Sequence, residues 1–150
     1  MGKTKSWKLF GLVLFGEPLD DNCASCPKTT ALVSQIPGVI NAGFSCLEPH
    51  STTGEHQDYN KSFFRCHIPL IVPVGDCKLE VEGVSRPWRM DEVLVFDDTR
   101  RHNAWNKTEH ARVVLIVDLP RRGAGAGGSR SESRRPQSQR EAMPPSTALT

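Results

Sequence analysis

The chain is written as a series of short apolar runs, each cut off by turn-forming residues, and this punctuation limits the fold more than anything else in it. Trp7 to Phe15 ends at Gly16. Val39 to Leu47 gives way to Glu48-Pro49, and Ser62 to Val74 gives way to Gly75-Asp76. Cys77 to Val81 alternates apolar and polar residues and closes at Glu82-Gly83, as a half-buried strand would. Val93 to Phe96 is followed by the loop Asp97 to Arg101, and Arg112 to Leu119 stops at Pro120. Only Pro27 to Gln35 reads as a helix, with Pro in its first turn, Ala31, Leu32 and Ile36 on one face, and Pro37-Gly38 as the stop. Gly16 to Pro27 and Glu48 to Lys61 read as loops. Many short strands with one or two short helices predict a mostly β fold, an antiparallel barrel or jelly roll whose open mouth can admit a small ligand.

Composition sets the boundary of that fold. After Pro120 large apolar residues almost vanish, and Gly, Ser, Arg and Pro take over. Such a segment cannot bury enough surface to offset its ordering entropy. Residues 1–120 are therefore expected to form one domain and 121–150 a disordered tail. The tail holds six Arg and two acids, so the net charge of +2 leaves the rest of the chain at −2. With no basic patch carrying interleaved aromatics, nucleic acid is a poor partner. The five cysteines are odd in number, and Cys23-x-x-Cys26 lacks the second close pair that a zinc site needs. The longest apolar runs fall well short of the roughly 20 residues of a membrane-spanning helix. No secretory signal is visible, so a cytoplasmic location is expected and the sequons at Asn60 and Asn106 read as chance matches.

The histidines carry the chemistry. His56-Gln57-Asp58 places an imidazole and a carboxylate at i and i+2, which in an extended chain point the same way. His102, in the loop after Val93–Phe96, offers a distant second imidazole. Two neutral imidazoles and one carboxylate on one face leave three open positions, the facial triad of non-haem Fe(II) oxygenases. Taken alone, His-x-Asp is a frequent pattern and also fits a plain surface loop. Arg112 opens the strongest apolar strand, and inside a barrel such a cation is costly unless it meets an anion. A dicarboxylate such as 2-oxoglutarate would be one. Arg65 and His67, two apart on one strand, would make one polar face within an apolar run.

Four separated motifs then stand in order. Phe44-Ser-Cys-Leu-Glu-Pro49 is followed seven residues on by His56. Ser62-Phe-Phe-Arg-Cys-His-Ile-Pro-Leu-Ile-Val-Pro73 comes next, then Val95-Phe-Asp-Asp-Thr-Arg-Arg-His-Asn-Ala-Trp-Asn106, then Arg112-Val-Val-Leu-Ile-Val-Asp118. Together they resemble the aspartyl/asparaginyl β-hydroxylase family over roughly residues 7 to 119. The resemblance implies a double-stranded β-helix of cupin-like, jelly-roll type. It also implies an Fe(II)- and 2-oxoglutarate-dependent dioxygenase, which uses O2 to hydroxylate an unactivated C–H of an aspartyl, asparaginyl, other amino-acid or acyl substrate.

Position by position, the resemblance makes His56 and His102 iron ligands, with Asp58 as the third. Ser45 and Arg112 match residues that hold the distal carboxylate of 2-oxoglutarate, and Arg65 and His67 those that contact its other end. Asp97 and Asp98 match a paired-acid feature that orders the loop before His102, and Trp105 matches a packing aromatic. Animal members of the family lack a carboxylate at the position of Asp58, whereas some bacterial members carry one. His50 stands where the family commonly has Gly, so a turn favouring positive φ would be slightly strained there. His110 has no role in the family pattern. Two other readings of the residues compete: a non-catalytic jelly-roll binding module with a degenerate pocket, and a cupin-type enzyme that uses another metal and no oxo acid.

Overall fold

The computed structural model describes residues 6–122, so the tail expected to be disordered lies, from residue 123 onward, outside the described residues. Residues 121 and 122 are still described, and the Arg121 amide donates to the Ser62 carbonyl.

In chain order the elements are β1 (Trp7–Leu14), β2 (Glu17–Pro18), α1 (Asp20–Ser25), α2 (Pro27–Ser34), β3 (Asn41–Leu47), β4 (Ser51–Thr52), β5 (Phe63–Ile71), β6 (Cys77–Val81), β7 (Val84–Pro87), β8 (Leu94–Phe96), β9 (His102–Asn106) and β10 (Arg112–Pro120). They form two antiparallel sheets, one ordered β2-β1-β3-β10-β5-β8 and the other β4-β9-β6-β7. The predicted jelly roll is what the chain forms.

Two apolar layers hold it. Between the sheets, Leu47, Val114, Ile116, Leu94 and Phe96 pack against Leu79, Cys77 and Ala104, with Trp88 closing the layer. On the outer face of the larger sheet, Ala42, Cys66, Leu115 and Val117 are covered by Val33 of α2, with Ile36 and Phe44 packed alongside. Thus β10 is covered on both sides, which is why Val113 to Val117 is an unbroken apolar run rather than an alternating one.

The helix differs from its expected face. Val33 is the buried residue of α2, while Leu32 is 66% exposed and Ala31 is exposed. Only one residue per two turns reaches the sheet, so the helix needs no wide apolar stripe. The expected loop between Gly16 and Pro27 contains α1, with Asp20 and Asp21 complementing the helix dipole in its first turn and Cys23 buried. Likewise β7 and β9 were not legible as strands. In β9 the inward positions are His102, Ala104 and Asn106, so polar residues occupy the sites where a strand pattern needs apolar ones. His102 therefore begins a strand rather than sitting in a loop.

Asn106 is fully buried, and its amide donates to the carbonyls of Leu47, Glu48 and His110. It pins the β9–β10 loop to β3 and is no surface acceptor. His50 has φ 53°, the left-handed turn expected where the family has Gly. Gly43 answers a different need: a Cβ there would lie 2.7 Å from the Phe10 carbonyl oxygen and 2.9 Å from the Gly11 Cα, so only glycine lets β1 and β3 approach. Among the described residues, no helix is long and apolar enough to cross a membrane.

Candidate active site

Between the sheets lies a small cavity lined by His56, His102, Arg65, His67, Ser45 and Arg112, together with Trp7 and several apolar side chains. Five separate segments supply these residues: β3 brings Ser45, the segment after β4 brings His56, β5 brings Arg65 and His67, β9 brings His102 and β10 brings Arg112.

His56 and His102 meet through the backbone. Each amide donates to the other's carbonyl, at 3.0 and 2.8 Å, and the ring centroids are 4.2 Å apart. The Nδ1 of His56 lies 2.8 Å from the Gly54 carbonyl oxygen, and the Nδ1 of His102 lies 2.8 Å from that of Arg100. A carbonyl only accepts, so both Nδ1 atoms carry hydrogen and both Nε2 lone pairs are left free. This is the outer-shell arrangement that orients metal-ligating imidazoles. Burial lowers the pKa of His102, opposed by its bond to Arg100 and reinforced by His56, which favours the neutral, ligating form.

His67 has the opposite tautomer. The Trp88 indole donates to its Nδ1 at 3.2 Å, so Nε2 carries the hydrogen and can donate. Burial, with Arg112 and Arg65 adding to it, holds His67 well below the usual imidazole pKa.

Arg112 is 1% exposed and has no carboxylate partner among the described residues. Its Nη1 reaches only the backbone oxygen and hydroxyl of Ser45, at 3.4 and 3.5 Å, and its Nε has no partner. The guanidinium lies 4.5 Å from the centroid of the Trp88 ring. Burial pulls its pKa down to about 10. A buried cation left this poorly satisfied is what an anion site looks like when the protein supplies no anion of its own.

Arg65 is held instead by carboxylates. Its Nε and Nη2 each donate to Asp118 at 2.9 Å, and its Nη1 lies 3.5 Å from Asp98 and 3.6 Å from Asp58. Burial opposes its charge, and Asp118, with Asp98 and Asp58 adding to it, more than offsets that and raises its pKa. Asp58 thus faces Arg65, and no three His, Cys, Asp or Glu side chains among the described residues gather as a metal-binding set. Asp97 accepts from the amide and hydroxyl of Thr99 and so orders the loop before His102. Asp98 is fully buried and faces Arg65; burial raises its pKa, opposed by Arg65 and reinforced by Asp58. Trp105 donates to Asp76 on the outer side of β9, away from the cavity, and His110 is exposed in a loop. Beyond Asp58 a hollow of about 480 Å³ opens, bordered by Tyr59, Lys61 and Arg100.

Three participants were not singled out from the sequence. Trp7 donates to the Ser45 hydroxyl at 2.9 Å and lies 6.0 Å from the His56 ring. Trp88, 2% exposed, carries both Arg112 and His67. Asp118, fully buried, holds Arg65. The one available signal was Asp118 itself, an acid closing an apolar strand, which demands a buried partner.

The comparisons with known proteins agree with this picture. The family model for aspartyl/asparaginyl beta-hydroxylase matches residues 1–122. An ornithine lipid ester-linked acyl 2-hydroxylase of Rhizobium tropici is 40% identical over 115 residues, covering 75% of this chain and 41% of the relative. Aspartate beta-hydroxylase domain-containing protein 2 of Xenopus tropicalis is 34% identical over 122 residues, covering 75% of this chain and 33% of the relative. The human aspartyl/asparaginyl beta-hydroxylase is 26% identical over 118 residues, with 75% and 16% covered. This chain spans well under half the length of these relatives. Among solved structures, an oxalate oxidase in complex with glycolate has a TM-score of 0.53 at 14% identity, covering 79% of this chain and 53% of the other. The DMSP lyase DddQ of Ruegeria pomeroyi has a TM-score of 0.51 at 11% identity, covering 83% and 49%. At such identities the likeness speaks for the double-stranded β-helix fold alone. On the family match and the motifs in their places, the chain belongs to the aspartyl/asparaginyl β-hydroxylase family.

Proposed function

We propose that this protein is an Fe(II)- and 2-oxoglutarate-dependent dioxygenase that hydroxylates an unactivated C–H bond. The observation that carries this is Arg112: a buried guanidinium with an unpartnered Nε, in the same cavity as two imidazoles whose Nε2 atoms are free. Arg112 suits a carboxylate and the two imidazoles suit a divalent metal, which is the pair of functions that a chelating 2-oxo diacid needs.

His56 and His102 would hold the metal through Nε2, with Asp58 as third ligand once it turns from Arg65. Ser45 and Arg112 would take the distal carboxylate of 2-oxoglutarate, by a charge-assisted bond that replaces the weak contacts now made to Ser45. His67, donating through Nε2, and Arg65 would steady the chelating end. When bound, the iron and the oxo acid supply the O2-dependent oxidising power, with succinate and CO2 as by-products. The protein's own part is to fix the two imidazoles, satisfy the diacid and keep water out of the layer between the sheets.

For the substrate, an acyl chain is favoured over a peptidyl Asp or Asn. The Rhizobium tropici relative is named for an acyl substrate, and Trp7, which lines the cavity, is 37% exposed. The competing reading, a non-catalytic binding module, draws on the pairing of Asp58 with Arg65 rather than with the imidazoles.

The test is succinate formation from 2-oxoglutarate with Fe(II) and ascorbate, alongside a mass-spectrometric screen of acyl and peptide acceptors for the gain of one oxygen atom. Succinate formation that disappears in Arg112→Ala and His102→Ala is expected. Absence of Fe(II) binding, with no turnover on any acceptor, would establish the binding module. Full activity in Arg112→Ala would point to a cupin-type enzyme that uses no oxo acid.

A further inference from the structure

Arg65 is aimed from behind. Asp118 is the one acid in the run Val113 to Leu119, and in strand register it lies opposite Arg65 on one side and opposite Asn41 on the other. Its Oδ1 accepts from Arg65 Nε at 2.9 Å, and its Oδ2 accepts both Arg65 Nη2 and Asn41 Nδ2 at 2.9 Å. This bidentate fork fixes the plane of the guanidinium and uses two of its three nitrogens. Only Nη1 is left to reach forward, and it lies between Asp58 and Asp98.

A purely structural cross-strand pair would need one acid, and apolar residues of like volume would serve the fold as well. Here three carboxylates surround one cation, two of them fully buried, and the cation lines the cavity with His56, His67 and His102. The excess acid sits where a structural pair has no use for it.

We propose that Asp118 is a positioning residue: it locks Arg65 so that Nη1 meets the chelating end of the oxo acid, and Asn41 steadies it in that task. The proposal rests on the reading that the cavity binds 2-oxoglutarate. Without Asp118, Arg65 would swing toward Asp58 and Asp98, and the carboxylate-binding edge would be lost. Asp118 itself touches no reactant.

The experiment measures 2-oxoglutarate binding calorimetrically to Mn(II)-loaded protein, where no turnover occurs, together with the thermal midpoint of each metal-free variant. Asp118→Asn and Arg65→Gln should each weaken 2-oxoglutarate binding about tenfold, the usual scale for an outer-shell residue. The double variant should be no weaker than Arg65→Gln, because Asp118 acts only through that side chain. In succinate assays Asp118→Asn should raise KM for 2-oxoglutarate while kcat changes little. If Asp118→Asn does not fold, Asn41→Ala, which leaves the ion pair intact, should still weaken binding about two- to threefold. Unchanged affinity in the variant measured, or losses that multiply in the double variant, would overturn the proposal. Wild-type protein that binds no 2-oxoglutarate would instead sink the proposed function on which it rests.

Discussion

Replacing Arg112 with Met should make the ligand-free protein more stable while abolishing its response to 2-oxoglutarate. Burial pulls the guanidinium pKa from its ordinary value down to about 10. That difference corresponds to about 3 kcal/mol of cost in the folded state at neutral pH. The sign follows from the direction: a base with a depressed folded pKa is charged in both states below 10, so the cost is fully present at neutral pH and disappears only as pH rises from 10 toward the ordinary guanidinium value. The Trp88 ring, 4.5 Å from the guanidinium, returns part of it, about 2 kcal/mol for a desolvated cation over indole. About 1 kcal/mol remains against Arg, and Met keeps the buried volume. For a domain of this size the metal-free variant should therefore melt about 4 °C higher than wild type. Adding 2-oxoglutarate at about one hundred times Kd to Mn(II)-loaded protein should stabilise wild type by about 2.7 kcal/mol over Mn(II) alone and leave Mn(II)-loaded Arg112→Met unmoved. Differential scanning fluorimetry with and without the oxo acid reads both effects. A variant that melts several degrees lower, yet is stabilised by 2-oxoglutarate as wild type is, would show that the guanidinium serves the fold and not a ligand.

Other perturbations follow from the same geometry. Gly43→Ala would drive a methyl group into the Phe10 carbonyl and Gly11 Cα, which are backbone atoms that cannot yield, so chemical denaturation should show a loss of about 1–3 kcal/mol. His67 is held well below 6.5 by burial, then by Arg112, so the unfolded chain takes up a proton that the folded chain refuses. Stability is thus complete above 6.5 and declines as pH drops below it; His67→Gln should flatten that decline in thermal melts taken from about pH 7 down to about pH 5. His50→Gly should relieve the φ of 53° and raise stability by about 0.5 kcal/mol, the left-handed strain less the added chain entropy, as urea midpoints would report.

The fold class was legible because short apolar runs cut by Gly, Pro and Asp leave few alternatives to a two-sheet β fold. Strands β1, β3, β5, β6, β8 and β10 stand within a few residues of their expected places. What escaped notice has a common cause. The β9 strand hides its period because its inward positions hold His102 and Asn106, and these polar residues face inward for the site and the loop rather than for the core. The short α1 lacks a capping side chain, and Trp88 read as part of a turn although it is the platform for two site residues.

The candidate site residues, Ser45, His56, Arg65, His67, His102 and Arg112, could be picked out from the order of residues along the chain, since motif spacing survives in one dimension. Their meeting in one cavity, the two imidazole tautomers and the direction of Asp58 were decided only by the tertiary structure. An i, i+2 spacing says that two side chains share a side; it does not say which neighbour each one finds. That choice belongs to the strand register, which sets Asp118 beside Arg65 from a residue 53 positions away and so brings a cation within reach of Asp58.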